Sequence, residues 1–415
     1  MISKILLAAA YRPSGAFGER WLLNLSTTND DFAEAITSDQ SGNLFVGGYT
    51  DYVVDAAIER RMFIARINKY GSLLWIRRLQ GLVNAPGLAC DSAGNVFGIS
   101  NGLGLSERRV YKVSSSGTFN WQKELFISGG IGLLKGIAVD SAGNAIVCSA
   151  SGYVIKLSSA GAIVWQRKLS AVFNSVTIDS EDSIIVAGSY TRDPLGTASL
   201  AVKFNSAGTV QWQRFSDSFG TFNNSYVSVS VDAERRVYVT GKNSVGTNVL
   251  AYSASGTLLW AQNITGGNLN PSSVKAYENN VFVSFTEVDI PDNLVYVKFN
   301  SSGGFVWQRR LEKTGCYSSS AQVTTNNSIL YYAAATVAAT ASTTNEDVLI
   351  TSLPADGTLT GTYGSLTYDA STFSSAAATL DTGTPSLAAT TTSVTASDVS
   401  TVLDAVTMTA SLTPL

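Results

Sequence analysis

Histidine is absent from this 415-residue chain. Without imidazole, Ser-His-Asp and Cys-His catalysis, histidine-ligated zinc and histidine pH switches are excluded. Cysteine is sparse. Cys90, Cys148 and Cys316 form an odd set with no Cys-x-x-Cys, which argues against a disulfide framework or a thiolate metal site. Charge is scarce as well. Charged residues make up 14% of the chain and the net charge is −3, so a nucleic-acid-coating role has no electrostatic support. No stretch approaches the roughly 18–20 apolar residues of a membrane span. Six apolar residues follow Lys4, short of the roughly 7–15 of a secretory h-region, so a cleaved signal is not expected. Apolar residues reach 45%, enough for a sizeable core and too many for a disordered chain.

What is present is a repeat. All 7 tryptophans, Trp21, Trp75, Trp121, Trp165, Trp212, Trp260 and Trp307, fall in one phrase, at intervals of 54, 46, 44, 47, 48 and 47 residues. Examples are LLWIRRL, IVWQRKL and FVWQRRL, and a glycine stands four residues before six of them: Gly71, Gly117, Gly161, Gly208, Gly256 and Gly303. A second phrase recurs in step: SDQSGNLFVGG at Ser38, CDSAGNVFGIS at Cys90, VDSAGNAIVCS at Val139, IDSEDSIIVAG at Ile178 and VDAERRVYVTG at Val231. Eroded copies lie near Glu278 and Thr325. A third phrase, such as YKVS, IKLS or VKFN, precedes each glycine. Periods of about 40–50 residues with strand-like content point to propeller blades.

Each repeat holds four short strands joined by hairpin turns. In Asp-Ser-Ala-Gly-Asn the aspartate bonds its own backbone and Gly tolerates positive φ. The expected fold is all-β: a seven-bladed β-propeller with four-stranded blades, plus a small Ser/Thr/Ala-rich C-terminal β segment. Closure falls to one of two strands, Trp21's or 358–363. The Trp21 strand is favoured because it carries the key side chain. The connections after the second and fourth strands vary in length; they are expected on opposite faces of the disc, where specificity would lie. The fourth strand is expected outermost, with tryptophan filling the wedge between blades. Arg77, Lys123, Arg167, Arg214 and Arg309 lie two residues beyond it. They read either as a basic belt for an acidic partner or, preferably, as long stems with heads over the indoles.

Candidate chemistry is thin. Asp51/Asp55, Glu181/Asp182 and Asp289/Asp292 are possible carboxylate pairs, with nothing in the sequence to organise them. Asp39, Asp91, Asp140, Asp179 and Asp232 could suggest calcium, yet each opens a hairpin where an Asx turn explains it. The cysteines read as buried, inert thiols. The loop 219–226, Phe-Gly-Thr-Phe-Asn-Asn-Ser-Tyr, reads equally as a sugar-holding or an ordinary loop. Arg60-Arg61, Arg77-Arg78 and Arg235-Arg236 are too isolated for a nucleic-acid track. No catalytic, cofactor-binding or metal residues are assigned, no binding residue can be named, and no cofactor is expected.

Beyond Lys313 there is no Lys or Arg. From about 366 the repeat gives way to Ser, Thr and Ala, whose alternation suits a strand. The domains expected are an N-terminal arm (1–14), the propeller (15–365) and a C-terminal docking or oligomerisation segment (366–415), which could form a small β unit or add to a neighbour's sheet.

The phrase IAVDSAGN followed by WQRxL resembles the SBBP-type β-propeller repeat over about 15–365. Asp91 and Asp140 match well, Asp232 loosely, and Ala276 and Thr325 poorly. Versions with Trp-Gln-Arg in the last strand are similar to structural proteins predicted for marine tailed bacteriophages. Gly-x-x-x-Trp also resembles the docking motif of quinone-dependent dehydrogenase propellers, but no acidic calcium set or quinone site is visible beside it. The resemblance implies a scaffold rather than an activity. The expectation is a non-enzymatic bacteriophage virion structural protein of the tail, baseplate or fibre apparatus, assembled in the host cytoplasm. Its expected partners are other virion proteins, through the terminal segments, and a host-surface glycan or receptor. Nucleic acid and membrane insertion are not expected. The alternatives are a capsid decoration protein, a bacterial extracellular glycan-binding adhesin or a glycan-active enzyme.

Overall fold

The computed structural model describes residues 21–27, 29–54, 57–79, 84–102, 107–127, 129–192, 196–217, 224–243, 246–265, 269–287, 293–313, 322–326, 329–337 and 346–358. It also describes the strands Gly361–Tyr363, Leu366–Ala370, Ser374–Ala377, Asp381–Gly383, Thr395–Asp398, Leu403–Ala405 and Thr409–Pro414. The N-terminal arm 1–14 and Cys316 lie outside these.

Six sheets draw four consecutive antiparallel strands each from one contiguous stretch: residues 30–79, 87–126, 134–168, 172–217, 225–265 and 269–313, here blades 1 to 6. Their first strands abut one another around an axis, and Gln322–Asn326 joins blade 6 back to blade 1. That strand belongs to a composite closing sheet. It continues with Ile329–Val337 and Glu346–Pro354, then takes Trp21–Ser26 as fourth strand and Thr409–Pro414 as fifth. Chain order in each blade runs from axis to rim.

The expectation of a seven-bladed propeller with four-stranded blades plus a small C-terminal β segment is corrected on two counts. Six blades are contiguous, and the remaining sheet is assembled from three distant parts of the chain. The C-terminal stretch is not a unit of its own. Its strands run back around the rim, pairing in turn with the fourth strands of blades 6, 5, 4, 2 and 1 and of the closing sheet. Among the described residues only blade 3 stops at four strands. The fourth strand is therefore not outermost elsewhere. Gly361–Tyr363, the other candidate for closure, instead pairs with Leu366–Ala370 at the rim of blade 6. The physical reason is the edge. A fourth strand at the rim presents unpaired backbone groups, and a fifth strand needs only backbone to satisfy them.

The fifth strands on blades 1, 2, 4, 5 and 6 cover only the last half of each fourth strand. The uncovered half carries a register break one residue before tryptophan in every contiguous blade. Such a bulge interrupts the ladder and blunts the edge. The bulged Leu74, Val164, Leu259 and Val306 are exposed there.

Neighbouring blades are fastened by one device repeated around the ring. Each indole Nε1 donates to a carbonyl in the third-to-fourth turn of the next sheet. The acceptors are Lys69 for Trp21 (3.1 Å), Ser115 for Trp75 (3.0 Å), Ser159 for Trp121 (2.9 Å) and Ser206 for Trp165 (3.0 Å). They continue with Ala254 for Trp212 (3.0 Å), Ser301 for Trp260 (2.9 Å) and Ala355 for Trp307 (3.3 Å). The glycine of that turn lies flat on the ring. A Cβ at Gly256, where φ is +82°, would stand 2.9 Å from Trp212 Cδ2. The basic residues two positions on are part of this fastening. Arg77, Arg167, Arg214 and Arg309 lie 5.5–5.9 Å over their own indoles, and each Nε donates to the facing glycine's carbonyl. In blade 5, Gln262 Nε2 takes the same place on Gly303 (3.0 Å). Four residues after tryptophan, Leu25, Leu79, Leu125, Leu169, Ile264 and Leu311 are all buried.

Gly256→Ala tests the close approach. The added methyl should cost about 1–3 kcal/mol in overpacking beyond the roughly 1–2 kcal/mol of a left-handed alanine. Gly143→Ala, with φ +77° but its nearest neighbour 3.8 Å away, carries only the second cost. Thermal melting of the two variants should rank them in that order.

Candidate binding face

Antiparallel order decides where the connections go. First-to-second and third-to-fourth turns emerge on one face, and second-to-third and blade-to-blade connections on the other. The two variable sets therefore share a face; the expectation that they lie on opposite faces is corrected. Strands one and two run opposite ways, as do three and four, so every second connection returns to the same side.

The turn face is regular, and its aspartates are committed. Asp39 Oδ1 accepts from the backbone N–H of Ser41 (2.9 Å) and Asn43 (2.9 Å), the Asx turn expected from the sequence. Asp91, Asp140, Asp179 and Asp232 repeat the pattern. The other carboxylate oxygen meets a cation from the third strand: Arg66 to Asp39 (3.3 Å), Lys112 to Asp91 (3.3 Å), Lys156 to Asp140 (2.7 Å) and Lys203 to Asp179 (2.7 Å). Blade 5 has Ala251 at that position, and Arg236 with the Tyr238 hydroxyl serves Asp232 instead. Burial pushes the Asp140 and Asp179 carboxyls up, but the hydrogen bonds from Lys156 or Lys203 and from the turn, together with the lysine charge, outweigh it and hold both low. Glu181 and Asp182 are each engaged with a neighbouring blade. Asp182, at the turn's glycine position with φ 55°, accepts from Ser141 of blade 3 at 2.9 and 2.6 Å. Glu181 pairs with Arg235 of blade 5. Asp51 pairs with Arg60 (3.0 Å). Asp55, Asp289 and Asp292 lie outside the described residues.

The loop face is uneven. The middle strands of blade 1, Leu44–Val54 and Ala57–Ile67, have 11 residues each, and those of blade 3, Ala145–Ser149 and Tyr153–Leu157, have 5. That difference is about 20 Å of strand. At the loop-face end of blade 1, Phe32 stacks on Tyr49 at 4.6 Å, and Arg60 lies 4.6 Å from the centre of the Tyr49 ring. Over blade 3 the surface is low. Beside it Leu133, at the entry to blade 3, and Val172, which opens blade 4, are 43% and 39% exposed, and Phe126, at the end of blade 2's fourth strand, is 54% exposed. The frame is held firmly. Asn101 exchanges two hydrogen bonds with the Leu134 backbone (3.0 and 2.8 Å), and buried Arg108 donates to the Gly132 carbonyl (2.8 Å). At Gly152 a Cβ would stand 2.1 Å from the Leu169 carbonyl oxygen, so only glycine permits so low a turn. Chemically this recess offers apolar contact beside small residues.

Of the 219–226 loop only Asn224, Ser225 and Tyr226 are described. Tyr226 is buried, and its hydroxyl bonds Ser216 (2.5 Å) and Tyr252 (3.1 Å), so it holds blade 5 rather than a sugar. Burial raises the Cys90 thiol and pushes Cys148 up to about 12, the condition of an inert thiol. One half-buried acid was not singled out from the sequence. Glu34 is the residue at the register break in blade 1's first strand, and it accepts the Ala85 N–H of the chain entering blade 2. Burial raises its pKa to about 7, against the Ala85 bond and Arg60, which lower it. No sequence pattern marks it, because its surroundings come from the next blade.

Two outcomes follow. Glu34 is harder to ionise folded than unfolded, so stability should fall as pH rises from the ordinary glutamate range through about 7. Glu34→Gln should flatten that slope and melt higher than the natural chain at pH 8. Lys203→Met, which strands Asp179, should cost about 3–5 kcal/mol, and Lys203→Met with Asp179→Asn, which removes the stranded charge and keeps the turn's acceptor, should recover most of it. Denaturant titration checks both variants.

A repeat-family model described as outer membrane protein assembly factor BamB matches residues 106–266. The chain is 21% identical over 372 residues to an uncharacterized WD repeat-containing protein of Acanthamoeba polyphaga mimivirus, covering 74% of this chain and 24% of that protein. It thus spans about a quarter of that relative's length. Among solved structures it is similar to the Dos1 propeller, with 10% identity, 81% of this chain and 95% of the other covered, and a TM-score of 0.50. It is also similar to BamB from Moraxella catarrhalis, at 14% identity, 77% and 85% coverage and a TM-score of 0.43. At such identities the likeness is one of fold. The repeat model that matches is of the BamB type.

Proposed function

We propose that the protein is a non-enzymatic interaction platform of a tailed-bacteriophage virion, in its tail, baseplate or fibre apparatus. It assembles in the host cytoplasm and uses the loop face to hold a neighbouring protein or a host-surface receptor. The observation that carries the reading is the division of labour between faces. Every connection of variable length gathers on one side, with an apolar recess fixed over blade 3. The other side is built from near-identical turns whose aspartates are already bonded. The viral relative and the Trp-Gln-Arg repeat support the virion setting. The assembly-factor description of the matched family suits a platform for protein contacts.

Immunogold labelling of intact particles with antibody to the propeller tests the setting. Label at the tail or baseplate is expected. Label on the capsid would turn the reading to decoration, and label on cells alone would replace it with a surface adhesin. For the face, Leu133→Asp with Val172→Asp should weaken binding of the purified protein to its partner or host surface by at least about tenfold. Val306→Asp, exposed at the rim on the turn-face side, should leave binding unchanged.

A further inference from the structure

One joint of the ring is made by no peptide bond. In each contiguous blade a turn ties the third strand to the fourth, as residues 68–72 do in blade 1. In the closing sheet the fourth strand is Trp21–Ser26. It meets Glu346–Pro354 through five residue pairs, Trp21↔Ser352 to Leu25↔Val348. Much depends on this strand. Trp21, Leu23 and Leu25 are buried in one cluster with Phe63, Val348 and Ile350, and Trp21 bonds the Lys69 carbonyl of blade 1. A strand tied to its sheet by no turn and with one edge open to water frays readily.

The added fifth strands differ around the ring in a way that follows this weakness. Blades 6, 5, 4, 2 and 1 receive five, four, three, four and three residue pairs, all on the loop-face half of the fourth strand. Trp21–Ser26 receives six, Trp21↔Pro414 to Ser26↔Thr409, over its whole length. The longest added ladder stands at the seam that lacks covalent continuity. Both described ends of the chain thus meet in one sheet, with the first strand held between two ladders.

The geometry points to Thr409–Pro414 as a latch on ring closure, whose release must precede the departure of Trp21–Ser26 and the opening of the ring. The remaining C-terminal strands carry the chain round the rim to this seam. The latch acts on the rate of opening, because the contacts it protects break before the blades themselves unfold. This inference is independent of the proposed function.

The test compares unfolding rates in denaturant, followed by tryptophan fluorescence, for the full chain and two variants. A chain ending at Met408 lacks the latch. Asp404→Pro disrupts the three-pair strand on blade 1, whose fourth strand is covalently continuous. The shortened chain should unfold at least about tenfold faster and Asp404→Pro less than about twofold faster. Equal rates for the shortened and full chains, or equal acceleration in both variants, would overturn the latch. Should the shortened chain not fold, Asn24→Cys with Ser411→Cys joins directly opposed residues. The oxidised form should unfold about tenfold more slowly than the reduced; failure of the bond to form, or identical rates, would overturn the proposal.

Discussion

The ring depends on an indole lying flat against a glycine of the next sheet. Wedge-shaped blades diverge toward the rim, and a sheet-on-sheet contact would open there. The tryptophan closes the gap, its N–H fixes the turn opposite, and the arginine or glutamine two residues on bonds the glycine carbonyl. Each component is modest, about 1 kcal/mol for a hydrogen bond and about 0.5–2 kcal/mol for the cation over the ring. The indole bond recurs at all seven junctions and the bond to the glycine carbonyl at five, and that repetition makes them decisive. The left-handed turn glycine is required twice, once for its backbone and once because a Cβ would strike the indole.

Closure then imposes its own constraint. A ring built from a linear chain has one seam, and here it is met by the first and last described strands acting on the same sheet. The rim adds a second problem, a row of open fourth-strand edges. Two devices share it: bulges beside the tryptophans and a returning C-terminal chain on the loop-face halves. Small Ser, Thr and Ala side chains suit a segment whose contribution is backbone pairing.

Function follows from parity. Four strands per blade send all variable connections to one side, so evolution of length there leaves the tryptophan junctions untouched. The turn face is occupied with its own charges: its aspartates are bonded to backbone N–H groups and to lysine and arginine side chains. What remains free to vary is the stepped loop face.

Much of this was legible in the residues. Tryptophan spacing gave the repeat, Asp-Ser-Ala-Gly-Asn gave the turns, and the position of Arg77, Arg167, Arg214 and Arg309 gave the stacking on indole, because these features act within a hairpin or between adjacent repeats and recur with them. Tertiary structure alone decided the rest. Residues 366–415 carry no repeat phrase, since a fifth strand is specified by an available edge rather than by a side-chain code. The sharing of one face by both variable sets, the shift of Glu34 and the burial of Tyr226 arise from neighbours far away in sequence. Local chemistry is written in order along the chain, whereas edges, faces and dielectric surroundings exist only once the ring has closed.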